Sequence, residues 1–209
     1  MPGLDALLDR PGLPQTERLL VRIKAAIWPG DHETLGECIR RCRDLGQPRS
    51  HLDEVLLQAV LFCGFPRVIN AFQVLSDEWP TDTGSTGGSL DPAEQRASGD
   101  ALFRTIYGEN TTDVEAMLLG YHAELHDFVL DTAYGRILSR PGLEPRIREL
   151  LAVGVLALTD QGPQLVAHGR GAKKFGATTQ QLYESIYTGC LDESYAEKMV
   201  RRIERIQDA

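Results

Sequence analysis

Arg10-Pro11-Gly12-Leu13 returns past the middle of the chain as Arg140-Pro141-Gly142-Leu143. The Leu19-Leu20 pair that follows reads, after one inserted residue, as Leu150-Leu151. Beyond that point Leu35 pairs with Leu165, Gly46 with Gly176, Leu52 with Leu182 and Glu54 with Glu184, all in one register. Several matches at fixed spacing mark an internal repeat, and a repeat dictates the architecture before any single residue is read. Each copy has the form helix, turn, helix, Gly-terminated turn, helix. One such unit is too small to bury its own apolar face, so the two must pack on each other as a covalent pseudo-dimer.

The pattern within the copies is helical throughout. Apolar residues recur at helical spacing in Leu19, Leu20, Ile23 and Ile27, in Val55, Leu56, Ala59, Val60 and Cys63, and in Leu118, Leu119, His122, Leu125 and Val129. Period-two alternation is missing, which excludes half-buried strands and predicts an all-α fold. Trp28-Pro29-Gly30-Asp31 reads as a stop followed by an N-cap, and Pro66 suits a first helical turn after Gly64. Helices are expected near 15–28, 32–45, 51–63, 66–79, 92–107, 112–138, 145–160, 162–175, 178–188 and 193–207. The stretch from Pro80 to Pro92, rich in Thr, Ser, Gly and Asp, reads as a linker. The expected organisation is a first unit over 1–79, a linker over 80–92 and a second unit over 93–209.

Charge and cysteine usage narrow the function classes. A formal charge of −8 on 209 residues argues against nucleic acid or an anionic membrane as partner, since both are held by basic patches. An anionic substrate would need a locally basic pocket. No apolar run reaches the roughly 18 residues of a spanning helix, and Met1-Pro2-Gly3-Leu4-Asp5 lacks the basic and apolar regions of a signal peptide, so a cytoplasmic chain is expected. The four cysteines, Cys38, Cys42, Cys63 and Cys190, include no Cys-x-x-Cys pair. Cys38 and Cys42 share a helix face at i and i+4, as a redox pair or as buried thiols.

Tyr134-Gly135-x-x-x-Ser139-Arg140-Pro141-Gly142-Leu143, then Arg148-Glu149-Leu150-Leu151, then Leu165-x-x-His168-x-x-x-Ala172-x-x-x-Gly176-x-Thr178 closely resembles carboxymuconolactone decarboxylases. The first copy supplies the motif that closes such a domain, Glu54-Val55-Leu56-Leu57-Gln58, with Gly64-Phe65-Pro66 and Asn70-Ala71. The resemblance implies an alkylhydroperoxidase D-like helical fold. It also implies one of two chemistries: cofactor-independent decarboxylation of a small carboxylated lactone, or thiol peroxidase and disulfide reductase activity. Relatives assemble as trimers or hexamers, so a trimer of pseudo-dimers is implied here. The redox branch carries Glu-x(11)-Cys-x-x-Cys-x-x-x-His, which falls on Glu149, Gln161, Gln164 and His168. The acid and imidazole remain while both thiols are amides, and an amide forms no thiolate. In the first copy the same places hold Asp31, Thr34 and Cys38.

His168 is therefore the expected general acid/base, able to protonate a carbanion or enolate as carbon dioxide leaves, or else a hydrogen-bonded core histidine. Glu149 would orient it, or would serve only the helix dipole. Arg148 and Arg140, beside Arg146, are expected to clamp a substrate carboxylate, with Gln164 and Phe65 also lining the substrate site. Gly169 and Gly171 in mid-helix signal a close approach by a helix or a ligand. His122 and His126, with Asp127 and Asp131 nearby, lack a further ligand, and no metal is expected. The two copies have decayed differently. The second has Ser194-Tyr195-Ala196 in place of the Gly-Phe-Pro corner, so at most one working site per chain is expected, centred on His168. A catalytically idle structural or ligand-binding paralogue is the reading from another class.

Overall fold

The computed structural model describes residues 3–81 and 91–204, and among the described residues every regular element is helical. The first unit comprises α1 (Leu4–Leu8), α2 (Gln15–Ile27), α3 (His32–Asp44), α4 (Arg49–Cys63) and α5 (Phe65–Glu78). The second has α9 (Pro145–Leu158), α10 (Gly162–Lys174), α11 (Thr179–Cys190) and α12 (Glu193–Ile203). Between them lie α6 (Pro92–Tyr107), α7 (Thr111–Tyr121) and α8 (Ala123–Asp127), the last running into a π-helical segment over Phe128–Leu138. The expected linker falls largely outside the described residues.

Matching turns show that the sequence repeat is a structural one. After α2 the Asp31 N–H returns to the Ala26 carbonyl at 3.0 Å, and after α9 the Gln161 N–H returns to Leu156 at 3.0 Å. After α3 and α10 the same closure joins Gln47 to Cys42 and Ala177 to Ala172, each at 2.9 Å. These six-residue closures satisfy the carbonyls that a helix end leaves open. The register is constant from Arg10 and Arg140 through Arg18 and Arg148 to Glu54 and Glu184, so no residue is inserted. Leu20 is the counterpart of Leu150, and Leu19 is the counterpart of Glu149.

α2 and α9 form the centre. Every residue from Arg18 to Ile27 and from Arg148 to Ala157 is buried, which an amphipathic surface helix could not tolerate. Their apolar side chains, among them Leu19, Leu20, Ile23, Leu150, Leu151 and Val153, each gain about 1.5–3 kcal/mol from leaving water. The helices exchange partners across the repeat: α2 packs on α11, α9 on α4, and α2 on α9. At the α2–α9 crossing a Cβ on Gly154 would sit 2.7 Å from Val21, and where α11 packs on α9 one on Gly189 would collide with the Gly154 carbonyl. Glycine here brings backbones closer than any side chain would allow.

The repeated Arg-Pro-Gly-Leu motif closes a reciprocal ion cluster. Arg148 reaches Glu54 on α4 at 2.8 Å and also the Arg140 and Pro141 carbonyls at 3.0 and 3.3 Å. Arg140 binds the same carboxylate at 2.9 and 3.1 Å. In mirror image, Arg18 reaches Glu184 on α11 at 2.8 Å and the Arg10 and Pro11 carbonyls at 2.9 and 3.2 Å, while Arg10 adds two bonds at 2.9 and 3.0 Å. Each unit thus lends a glutamate to the other unit's arginines. The glycine in each turn takes a positive φ, +90° at Gly12 and +102° at Gly142, which bends the chain back toward its arginine.

The intervening segment departs from expectation. The single helix expected over 112–138 is interrupted at His122, whose extended backbone (φ −170°, ψ 131°) ends α7. The π-helical segment then crosses α6 at Gly99 and Gly135, where a Cβ on Gly99 would lie 2.6 Å from the Gly135 backbone. This crossing brings Tyr107 and Tyr134 within 3.3 Å and seals a second small core around Phe103, Ile106 and Leu130.

Candidate functional site

Glu149 occupies the first turns of α9, and His168 lies in mid-α10, the helix that packs on it. The side chains meet at 2.9 Å between His168 Nδ1 and Glu149 Oε2, with 7% and 1% of each residue exposed. An ionised carboxylate can only accept, so Nδ1 donates and Nε2 is left as the atom able to exchange a proton. Nε2 makes no hydrogen bond among the described residues. Gly171 is what lets the pair form, because a Cβ there would stand 2.5 Å from Glu149 Oε2. Its role in mid-helix is therefore to admit a carboxylate from the neighbouring helix. The pair has no twin, since the first unit holds Leu19 and Cys38 at the equivalent places.

The other expected site residues divide. Gln164, one turn before His168, lines a 410 Å³ cleft between α7 and α10 with Tyr107, Val114, Met117 and Arg170. Arg148 and Arg140 both point to Glu54, so a substrate carboxylate would have to compete with that ion cluster. Within the cluster, burial would raise the Glu54 carboxyl, but hydrogen bonds from the two arginines outweigh it and hold the group below its ordinary value. Phe65 turns outward at the α4–α5 corner and is 66% exposed.

Two residues that the sequence did not single out sit beside the pair. Phe62, half-buried at the end of α4, presents its ring to His168 edge-on at 6.0 Å between centroids. Lys24 of α2, with no exposed surface, lays Nζ 3.8 Å from the centroid of the same ring. Burial lowers this amine to about 7, against opposing pulls from Cys63 and Glu149. A lysine inside Val21-Arg22-Ile23-Lys24-Ala25-Ala26-Ile27 was the available signal, legible only once α2 is known to be buried all round.

The thiols are poor nucleophiles where they stand. Burial pushes both Cys38 and Cys42 up to about 12, so neither forms a thiolate near neutral pH. Among the described residues no group of three or more His, Cys, Asp and Glu side chains converges. His122 caps α8 by accepting the Glu124 N–H at 3.1 Å, and His126 pairs with Asp127 at 2.9 Å.

A tandem, all-α chain with reciprocal arginine clusters and one buried carboxylate–imidazole pair defines the class of protein. The carboxymuconolactone decarboxylase family model matches residues 3–77 and 123–197, and the chain belongs to that family, in two copies. It is also similar to "Peroxisomal protein 2" of Schizosaccharomyces pombe (strain 972 / ATCC 24843), with 30% identity over 135 residues, 63% of this chain and 63% of the relative. The chain thus spans less than two thirds of that relative's length.

Proposed function

We propose that the chain is a carboxymuconolactone decarboxylase-like lyase acting on a small carboxylated lactone or related acid. The observation that carries this reading is the buried Glu149–His168 pair with Nε2 unengaged. When carbon dioxide leaves, the electron pair passes to the adjacent carbonyl, and a proton must then reach carbon. His168 Nε2 delivers it, and Glu149 fixes the tautomer and stabilises the imidazolium in the steps where it forms. The substrate's own carbonyl takes the electrons, so the reading needs no cofactor. Gln164, which lines the α7–α10 cleft one turn from His168, keeps its place as a substrate contact in this reading. Arg148 and Arg140 are left out of substrate binding because Glu54 holds them, and Phe65 because it faces outward.

Decarboxylation of carboxylated lactones, followed by carbon dioxide release, is the decisive assay, run beside thiol-dependent peroxide consumption. His168→Ala is expected to lower turnover by about 100-fold or more, the usual worth of a general acid. Unchanged turnover would remove His168 from the chemistry. The alkylhydroperoxidase-like reading predicts peroxide consumption that depends on Cys38 or Cys42, and the raised thiols weigh against it. A catalytically idle, ligand-binding paralogue predicts neither reaction, and the engagement of both arginines by Glu54 favours that second reading.

The exposed apolar side chains of α7, α8 and the start of the π-helical segment, Met117, Leu119, Tyr121, Leu125 and Phe128, support self-assembly, for which the family resemblance implies a trimer of pseudo-dimers. Light scattering is expected to give about three times the 23.1 kDa chain mass. A monomer at micromolar concentration would contradict it. No helix among the described residues is long and apolar enough to cross a membrane. The cytoplasmic location expected from the sequence is carried into this proposal, whereas the fission-yeast relative is peroxisomal by its name.

A further inference from the structure

Lys24 is a buried amine that lies against the Phe62 ring and finds no hydrogen-bond acceptor among the described residues. Its Nζ has no hydrogen bond, whereas the other buried unbonded nitrogens, Arg18 Nε and Arg148 Nε, belong to guanidiniums held through their remaining nitrogens. Buried donors without acceptors are rare, and each asks what would complete it. The repeat itself does not require a lysine here. Its counterpart, Gly154, packs directly against Val21 and the Ser185 backbone. The groups facing the amine are Cys63 from α4, Arg148 and Glu149 from α9, and, across the Phe62 ring, His168 from α10. Phe62 covers the amine, stands edge-on to the imidazole and is itself partly exposed, so one aromatic side chain borders both functional groups and reaches the surface.

We propose that Lys24 is the cationic anchor for a ligand carboxylate in the Glu149–His168 site, and that the Phe62 ring is the gate displaced to reach it. The inference rests on the lyase reading for the identity of the site. Binding is written as amine plus proton plus carboxylate giving an ammonium–carboxylate pair, with no bond to carbon made or broken. Pairing an ammonium with a departing carboxylate would oppose loss of carbon dioxide. The anchored group is therefore a retained carboxylate, and the ligand carries two acidic groups, one held at Lys24 and one free to react near His168. The amine is largely neutral above its lowered pKa of about 7, so binding in that range draws a proton from solution.

The test is calorimetric titration with glutarate near pH 8, repeated in buffers of different ionisation heat, with γ-butyrolactone as the uncharged control. Glutarate is expected to bind with uptake of most of one proton per chain, an uptake that shrinks near pH 6 where the amine is already charged. Lys24→Met is expected to weaken binding at least about tenfold and abolish the uptake, and Phe62→Ala to speed association. Glutarate binding unchanged in Lys24→Met, binding without proton uptake, or no binding would overturn the anchor. If Lys24→Met does not fold, proton uptake by the wild-type chain still decides between an anchoring amine and none. Lys24-dependent glutarate binding without decarboxylation of any carboxylated lactone would sink the lyase reading alone. His168-dependent decarboxylation with a KM untouched by Lys24→Met would sink the anchor alone.

Discussion

Glu54→Ala is expected to destabilise the chain by about 3–5 kcal/mol, the cost of breaking a buried ion cluster from one side. Removing the carboxylate strands Arg148, which is 1% exposed, and leaves Arg140 without the acceptor it shares. For a chain of this size the loss corresponds to a fall in Tm of about 10 °C, readable by circular dichroism or as a lower urea midpoint at unchanged slope. Glu184→Ala should behave alike, because Arg18 is fully buried and holds Glu184 in the same way. Replacing both members of a cluster, as in Glu54→Leu with Arg148→Met, should cost less than Glu54→Ala alone, since no charge is then stranded. The acid limb follows the same logic. In both glutamates burial raises the carboxyl, and the arginine hydrogen bonds more than reverse it, so the folded value lies below the unfolded one. Their contribution is present above the ordinary carboxylate value and is lost as pH falls through the folded value. Stability that did not move in Glu54→Ala would mean that water, not Glu54, satisfies the arginines.

Lys24→Met is expected to move stability the other way. The amine titrates near 7 when folded and near 10.5 when unfolded, so the unfolded chain binds more protons between those limits. Wild-type stability must therefore rise with pH across that window, and below it the full penalty applies. At about 1.4 kcal/mol per pKa unit, the lysine opposes folding by on the order of 4 kcal/mol at neutral pH. Methionine fills similar space without charge, so Lys24→Met should raise the urea midpoint at pH 7 and remove this part of the slope between pH 7 and 10. A Tm equal to or below that of the wild type would show that the buried amine is already well paired. Destabilisation of this kind, borne at one residue beside the candidate site, is a common companion of function.

The contrast between these predictions reflects what the chain makes legible. The repeat was readable because Arg10 and Arg140, Glu54 and Glu184, and the turn glycines recur at constant spacing. Helices were readable because 3.6-residue periodicity and Gly or Pro stops are local properties. The break at His122 and the π-helical segment were not, since apolar spacing there is compatible with one continuous helix. In the sequence Arg140 and Arg148 read as a clamp for a substrate carboxylate, because they cluster where the chain enters a helix. Glu54 lies 94 residues from Arg148, and nothing local announces that the two meet.

The sequence by itself determined an all-α tandem repeat and marked Glu149 and His168 through the motif that the family resemblance supplies, because periodicity, turn residues and motif spacing are written along the chain. Only the tertiary structure decided that the repeated arginines bind the opposite unit's glutamates, that Gly171 makes room for the Glu149 carboxylate, and that Lys24 lies against Phe62 with no hydrogen-bond acceptor among the described residues. Those outcomes depend on which helix faces which, and burial, which sets the cost of every charge, exists only once the two units have closed on each other.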